Sequence, residues 1–179
     1  MARSFPFSGK HQSFEEIALF RLDAEAGLRL QFSEGNPDFS NRFAFLTEEE
    51  LNKARRERLT ELDILTSLAI LTAIEAKFRV DFHMRVMLRK RDSLSRLFRQ
   101  VDKGRGDRSR LDEDILEGWK SEHPAHARAI ADIKGALKYR HWLAHGRYWD
   151  PKLARATYDF AAVYAVALLI DQMPMMDFR

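Results

Sequence analysis

An all-α helical bundle is the fold class that this sequence of 179 residues predicts. The region 47–90 contains no glycine or proline, and its apolar residues recur at the spacing of one helix face. Later prolines and glycines fall where helices begin and end, at Pro124, Gly146 and Pro151. Together these observations predict consecutive helices packed around one core.

The amino-acid composition limits the classes of protein to which this chain can belong. Hydrophobic residues make up 45% and charged residues 32% of the chain, which is typical of a globular domain with its own core. Cysteine is absent, so disulfides and thiolate metal sites are excluded. The absence of disulfides is consistent with a protein that works in a reducing compartment. No apolar signal region is visible at the start, and the longest apolar runs are too short to span a bilayer. We therefore expect a cytoplasmic protein with no membrane partner.

The long central helix is the clearest predicted element. Thr47 and Glu50 have the spacing of a capping box, which predicts that the helix begins there. One long helix, or two nearly continuous ones, should run to about Lys90. Shorter helices over 93–101 and 112–120 are expected to follow, separated by a glycine-containing loop.

Two further helices complete the predicted bundle. Pro124 is suited to the first turn of a helix, and Gly146 is a suitable residue just past its end. Asp150 and Pro151 then form a cap and first turn for a last helix, which should run to about Met173.

Residues 1–46 are predicted to be a short extension packed on a domain of residues 47–179, in a chain that is a single domain overall. A helix is expected over 13–26. "GLRLQF" alternates apolar and polar residues at the period of a strand, and "RFAFL" is a candidate partner strand. The extension therefore leaves room for a small β-hairpin.

Positive charge is concentrated in one segment, although the net charge of the chain is only +3. Between Arg85 and Arg110 ten basic residues stand against three acidic ones. Such clustering favours a phosphate-backbone partner, and a solvated helix face and loop is the alternative. The arginines predicted to contact RNA, of which the last lies outside this segment, are Arg89, Arg91, Arg96, Arg99, Arg105 and Arg147.

A carboxylate interrupts the apolar face of the long helix. Glu75 lies between Leu71 and Phe78 at a position where that face would otherwise be apolar. A carboxylate in such a place is costly unless it is paired or hydrogen-bonded. Two partners are open: Arg79, one turn further along the same helix, and Arg140 on a later helix.

The stretch "KYRHWLAHGRYW" places an arginine and two histidines on a helix whose apolar face is expected to pack. Helical spacing puts His141 near the middle of that face, with Arg140 on one side and His145 on the other. The face itself is formed by Ile130, Ile133, Leu137 and Ala144. Three interpretations compete, because such side chains serve as core anchors, as metal ligands or in catalysis.

The structural interpretation makes His141 a satisfied core residue and Arg140 an ion-pair anchor. The metal interpretation lets His141 and His145 share a zinc ion, for which a third ligand and its supporting contacts would be needed.

The catalytic interpretation is phosphodiester chemistry without a metal. In it a histidine takes the proton of a ribose 2′-hydroxyl and an arginine stabilises the charge on the phosphoryl oxygens. That reaction requires RNA, since DNA lacks the 2′-hydroxyl.

An aromatic pair follows the helix end. Tyr148 and Trp149 lie beside Arg147, where they either stack on an unpaired base or cover the core. Tyr148 and Glu75 are therefore candidate supporting residues of the site.

"RHWLAH" resembles the R-x4-6-H signature of the HEPN superfamily, in which Asn, Asp or His commonly follows the arginine. "LAHG" resembles the way that the motif helix ends in this family, and the helix order agrees over roughly residues 47–173. The resemblance implies a HEPN-like helical bundle that dimerises so that two motifs face one composite cleft. Carried over, Arg140 binds the scissile phosphate, His145 is the general base or acid, and His141 orients or assists.

The same resemblance implies an endoribonuclease that uses no metal and no cofactor and leaves 2′,3′-cyclic phosphate ends. Its implied partners are RNA, a second copy of the chain and an antitoxin protein, as in toxin or defence systems. Many HEPN toxins carry a tyrosine two residues after the histidine, where a nucleotidyltransferase antitoxin attaches AMP. Arg147 stands there instead, which argues against that kind of antitoxin. A non-catalytic HEPN-like protein that binds nucleotides or RNA, or that has a regulatory role, is the alternative.

Overall fold

The computed structural model describes residues 5–153 and 158–177, and across them it is a bundle of seven α-helices with no strand. The all-α prediction is therefore confirmed. The helices are α1 (Phe14–Gln31), α2 (Phe39–Phe43), α3 (Glu48–Met87), α4 (Ser93–Arg105), α5 (Glu117–Glu122), α6 (Ala127–Ala144) and α7 (Phe160–Asp171). A π-helical turn, Leu111–Leu116, runs directly into α5, and two short 3₁₀ turns, Gly106–Arg108 and Pro124–His126, precede that turn and α6.

The central helix α3 is a single helix of 40 residues, roughly 60 Å long at 1.5 Å per residue. Its N-terminus is the predicted capping box, because the Thr47 hydroxyl accepts from the Glu50 amide and the Glu50 carboxylate accepts from the Thr47 amide. None of its described residues before Thr66 is buried. The C-terminal half of α3 is consequently the part around which the bundle packs.

The core lies between that half of α3 and the helices packed on it. Phe78 and Phe82 of α3 are fully buried, as are Phe98 of α4 and Trp119 of α5. Helix α1 also packs on α3 and adds two further buried residues, Phe14 and Ile17, to the same core. These contacts give α3 neighbours on several faces, which explains its wide apolar stripe.

The possible β-hairpin in the N-terminal extension is wrong. The residues of "GLRLQF" continue α1 to its end, and "RFAFL" overlaps the short helix α2. Helix α1 begins with a capping box formed by Ser13 and Glu16, so each added residue gains a helical hydrogen bond without a new nucleation step. An isolated two-stranded hairpin offers no such gain. The alternation of apolar and polar residues in "GLRLQF" does not mark a strand here, because one of its apolar residues, Leu30, is 58% exposed on the outer face of α1.

The start of the last helix also differs from the prediction. Helix α7 begins at Phe160 behind an Asp159 cap, whereas residues 151–153 are not helical and 154–157 lie outside the described residues. The Asp159 side chain accepts from the Ala162 amide at 2.8 Å. Asp63 of α3 accepts from the Phe160 amide at 2.9 Å, so a tertiary contact favours this cap over Asp150.

A buried ion pair ties the C-terminal tail to the bundle. The Asp81 carboxylate accepts from Arg85 Nε at 2.8 Å, from the indole nitrogen of Trp119 at 3.0 Å and from the Met176 amide at 2.7 Å. Arg85 also donates to the Pro174 carbonyl at 2.8 Å. Burial raises the pKa of Asp81, and the nearby guanidinium opposes that shift. Arg85 is therefore a structural residue and does not belong to the basic surface.

No described helix is both long enough and apolar enough to cross a lipid bilayer.

Candidate functional site

The stretch "KYRHWLAHGRYW" forms the last turns of α6 and the turn that ends it. The His145 amide donates to the His141 carbonyl at 3.2 Å, and the Arg147 amide donates to the Trp142 carbonyl at 3.2 Å. Gly146 has a φ of 85°, a conformation in which a side chain would be strained. The glycine thus ends the helix immediately after the histidines and directs the chain back across it.

Arg140 contacts the carboxylate that interrupts the face of α3. Its Nη2 lies 3.2 Å from Oε2 of Glu75, and Oε1 of Glu75 accepts from Arg79 Nε at 2.9 Å. Both partners proposed for Glu75 are therefore present at once. The Arg140 side chain remains 33% exposed, so its guanidinium is oriented by α3 and still open to solvent.

The two histidines lie on the surface and not in the core. His141 and His145 are both exposed, and their ring centroids are 4.3 Å apart. The expected position of His141 in the middle of a packing face is wrong, and Ala144 is exposed as well. The buried face of α6 is rotated from the expected one and consists of Ile130, Ile133, Gly135, Ala136, Tyr139 and Leu143. Tyr139 explains the rotation, because it stacks on Tyr158 at 5.4 Å and buries more apolar surface than an alanine would.

A cleft of about 470 Å³ opens beside Arg140. It lies between α6, the π-helical turn and the segment that follows α6. Its lining consists of Glu75, Leu111, Asp112, Lys134, Leu137, Lys138, Arg140, His141, Trp149, Pro151, Lys152 and Leu153. Four cationic side chains and only two carboxylates are among these residues, so the cleft is positively charged.

The cations of the cleft differ in how far they are neutralised. Lys134 lies 2.8 Å from Asp112 and also pairs with Glu117. Lys138 and Lys152 are exposed, and neither forms an ion pair with another described residue. Lys134, Lys138, His141 and His145 recur at helical spacing along one side of α6, a signal that was available in the sequence and that the sequence analysis did not use.

Of the two aromatic residues that follow α6, Trp149 lines the cleft and Tyr148 does not. Trp149 lines the cleft, and its carbonyl accepts from the indole nitrogen of Trp142 at 2.5 Å. Tyr148 is 83% exposed, packs edge-on against Trp149 and does not line the cleft. The structure therefore does not place Tyr148 as a supporting residue of this cleft.

The basic segment does not form one uniform surface. Arg89, Arg91 and Arg96 are exposed near the C-terminal end of α3, with no ion pair to another described residue. Arg99 donates to the Lys90 carbonyl at 2.7 Å, and Arg105 pairs with Asp114 at 3.1 Å. Arg89 follows the end of α3 at Met87, which lies twelve residues and roughly 18 Å of helix rise beyond Glu75.

Arg147 is engaged by the protein itself. Its two terminal nitrogens donate to the two carboxylate oxygens of Glu61, each at 2.9 Å. The hydrogen bond from Arg147 lowers the pKa of Glu61. A bidentate pair of this kind joins the turn after α6 to α3. The predicted contact of Arg147 with RNA would therefore have to compete with Glu61.

Among residues 5–153 and 158–177, no three histidine, cysteine, aspartate or glutamate side chains are grouped so as to hold a metal ion. The third ligand that a zinc site at His141 and His145 needs is thus not found in that part of the chain.

No protein-family model, curated protein or solved structure matches the chain. The case for a function therefore rests on the residues of the cleft.

Proposed function

We propose that this protein is a metal-independent endoribonuclease of HEPN type. The observation that supports it most is the position of Arg140, which Glu75 orients at the wall of a positively charged cleft. His141 and His145 are exposed on the same turn and the next, with their rings 4.3 Å apart. A phosphodiester in the cleft would meet a guanidinium and an imidazole, the two groups that this reaction requires.

The proposed reaction is an internal transfer within RNA. His145 takes the proton of a ribose 2′-hydroxyl, and the 2′-oxygen forms a bond to the adjacent phosphorus. Arg140 donates to the non-bridging oxygens, whose negative charge increases in the transition state. The bond from phosphorus to the 5′-oxygen breaks, and that oxygen takes up a proton. The products are a 2′,3′-cyclic phosphate and a free 5′-hydroxyl.

A second copy of the chain is part of the proposal. Both imidazoles are exposed in the single chain, so a second copy facing the cleft would enclose them and assemble a composite site. Such enclosure would exclude water and strengthen the interaction of Arg140 with phosphate. Gel filtration with light scattering would measure whether the protein is a dimer.

The charge distribution supports RNA as the substrate. Lys138 and Lys152 add positive charge beside Arg140. Arg89 and Arg91 lie between α3 and α4 and Arg96 lies on α4, where all three are exposed and add positive charge to the surface outside the cleft. Clustered basic side chains of this kind attract a phosphate backbone and speed its association. A toxin or defence role, an antitoxin partner and a cytoplasmic location are proposed on the resemblance of the motif alone.

A non-catalytic nucleotide- or RNA-binding protein is the second candidate. One observation favours it: His145 does not line the cleft that contains Arg140. In that case the same cleft would bind RNA without cutting it.

The test is cleavage of a labelled single-stranded RNA in EDTA by the wild-type protein and by Arg140→Lys and His145→Ala. We expect each variant to lose about a hundredfold or more in rate, because each removes a group that acts in the transition state. His126→Ala is the matched control, since His126 precedes α6 and lies outside the cleft. Wild-type protein that binds the RNA but leaves it intact would favour the second candidate, and equal cleavage by all proteins would refute the assignment.

A further inference from the structure

The cleft beside Arg140 is lined by apolar residues as well as by charged ones, and the apolar residues are called here its apolar wall. This wall consists of Leu111, Leu137, Trp149, Pro151 and Leu153. Leu111, Leu137 and Leu153 also pack against the hydrophobic core, which fixes the back of the cleft. Catalysis at a phosphate does not require an apolar wall of this kind, so its presence indicates a ligand with an apolar face as well as a negative charge.

Among the described residues that line the cleft, Trp149 is the only aromatic side chain other than the imidazole of His141, and the two ring centroids lie 6.0 Å apart. The backbone of Trp149 is held by the hydrogen bond from the Trp142 indole to its carbonyl. A ring carried on a fixed backbone has less conformational freedom to lose when a planar group stacks on it. Bases of single-stranded nucleic acids stack on aromatic side chains in this way.

Two lysines of the cleft are available for the charged part of the same ligand. Lys134 is paired with Asp112 and Glu117, and Arg140 is paired with Glu75. Lys138 and Lys152 are exposed, line the cleft and pair with no other described residue. A nucleotide whose base lies on Trp149 would therefore find two unpaired lysines in the same cleft for its phosphate.

We infer that the cleft binds one unpaired nucleotide of a single-stranded RNA, with the base on Trp149 and the phosphate between Lys138 and Lys152. The inference rests on the proposed function in taking RNA as the ligand. A volume of about 470 Å³ is within the range of cavities that enclose a small ligand. In a duplex both faces of a base are covered by its neighbours, so a paired strand cannot offer a face to Trp149. The substrate class is accordingly single-stranded RNA.

The test measures binding in the His145→Ala background, in which RNA is not expected to be cut. Fluorescence anisotropy of a labelled single-stranded oligoribonucleotide would be compared for this protein with and without Trp149→Ala or Trp149→Phe. We expect Trp149→Ala to weaken binding about five- to a hundredfold, and Trp149→Phe to retain most of it because it keeps a stacking face. Phe45→Ala is the matched control, since Phe45 is 98% exposed and lies outside the cleft.

Further binding measurements test whether the two lysines contact the phosphate, and whether the ligand is a nucleotide within RNA or a free nucleotide. Lys138→Gln and Lys152→Gln change exposed residues, so they should leave the fold intact; each should weaken binding and reduce its salt dependence. A duplex of the same sequence should bind more weakly and should not respond to Trp149→Ala. Adenosine monophosphate should compete only at far higher concentration than the oligonucleotide.

Several results would overturn the inference. Equal losses for Trp149→Ala and Phe45→Ala would remove the role of Trp149, and an equal response of the duplex would remove the preference for single strands. Competition by the mononucleotide as strong as that of the oligonucleotide would remove RNA as the ligand. Absence of cleavage by the wild-type protein would refute the ribonuclease alone, because the binding measurement does not depend on it.

Discussion

Nη2 of Arg140 lies 3.2 Å from Oε2 of Glu75, and this ion pair joins α6 to the middle of α3. The second oxygen of Glu75 is occupied by Arg79, so the carboxylate is held from both sides. Arg140 Nε is buried and has no hydrogen-bond partner among the described residues. The direction of the guanidinium therefore depends mainly on Glu75, which makes Glu75 a positioning residue.

Glu75→Gln should separate the position of Arg140 from its charge. Without the carboxylate the guanidinium is less well oriented, and the cleft becomes more positive. We expect kcat for RNA cleavage to fall about tenfold without a rise in KM, because misplacement affects the transition state more than binding. Arg79→Gln is the control, since it removes the other pair of Glu75 and leaves Arg140 in place. Unchanged kcat in Glu75→Gln would contradict the positioning role.

Asp81→Asn should destabilise the fold strongly. The substitution removes the buried carboxylate that Arg85 Nε contacts, leaves the guanidinium only the partly exposed Asp92 as a carboxylate partner, and weakens the bonds to Trp119 and Met176. We expect the free energy of unfolding, measured by urea denaturation, to fall by about 3 kcal/mol. The Lys77–Asp171 pair is partly exposed, so Asp171→Asn should cost less than about 1 kcal/mol. Similar losses for the two substitutions would show that burial does not set the cost.

Gly118→Ala tests how tightly α4 and α5 pack. A Cβ at Gly118 would lie 2.8 Å from Cε1 of Phe98, a ring that is fully buried, so the ring or the helix would have to shift. We expect a loss of about 1–3 kcal/mol in the free energy of unfolding. Gly104→Ala is the matched control in α4, where an added Cβ meets nothing within 4 Å. That substitution should be neutral or should stabilise by up to about 1 kcal/mol.

The Arg147–Glu61 pair should contribute stability that depends on pH. The hydrogen bond from Arg147 lowers the pKa of Glu61 in the folded state, so the contribution is complete above the ordinary glutamate pKa. It is lost as the pH falls through the lowered pKa, because the protonated carboxyl no longer pairs with Arg147. We expect Arg147→Gln to be less stable than the wild type by under about 1 kcal/mol at neutral pH.

Urea denaturation over a series of pH values checks this expectation. The difference between wild type and Arg147→Gln should vanish below the lowered pKa of Glu61. In a Glu61→Gln background the same substitution should have no effect at any pH, since the pair is already absent. A difference that persists in that background would assign the effect to something other than this pair.

Local sequence signals predicted much of the fold correctly. The Thr47–Glu50 capping box marks the start of α3, and Gly146 marks the end of α6. Both signals work because they satisfy backbone groups within a few residues, with no help from distant parts of the chain. The start of α7 was predicted wrongly because Asp150 and Asp159 are both suitable caps, and the choice depends on the contact of Asp63 with Phe160.

In the candidate site, too, local features were predicted correctly and features that depend on contacts between helices were not. Helical spacing indicated that Arg140, His141 and His145 lie close together on α6, and Glu75 was recognised as a carboxylate that needs a partner. Which side of α6 packs was predicted wrongly, because Ala144 and Tyr139 compete for the core and tyrosine buries more surface. The lysines of the cleft went unrecognised, since exposed lysines on a helix look alike until a neighbouring segment forms a cavity over them.

Periodicity and helix caps within single helices were sufficient to predict the all-α class, the limits of the long helix and the cluster of Arg140, His141 and His145. The packed structure was needed to show that the histidines are exposed, that Glu75 pairs with Arg140, and that Arg147 pairs with Glu61. It alone placed Trp149, Lys138 and Lys152 around one cleft. The physical reason is that these relationships join segments far apart in the chain, and their geometry is set by the packing of α3 against α6.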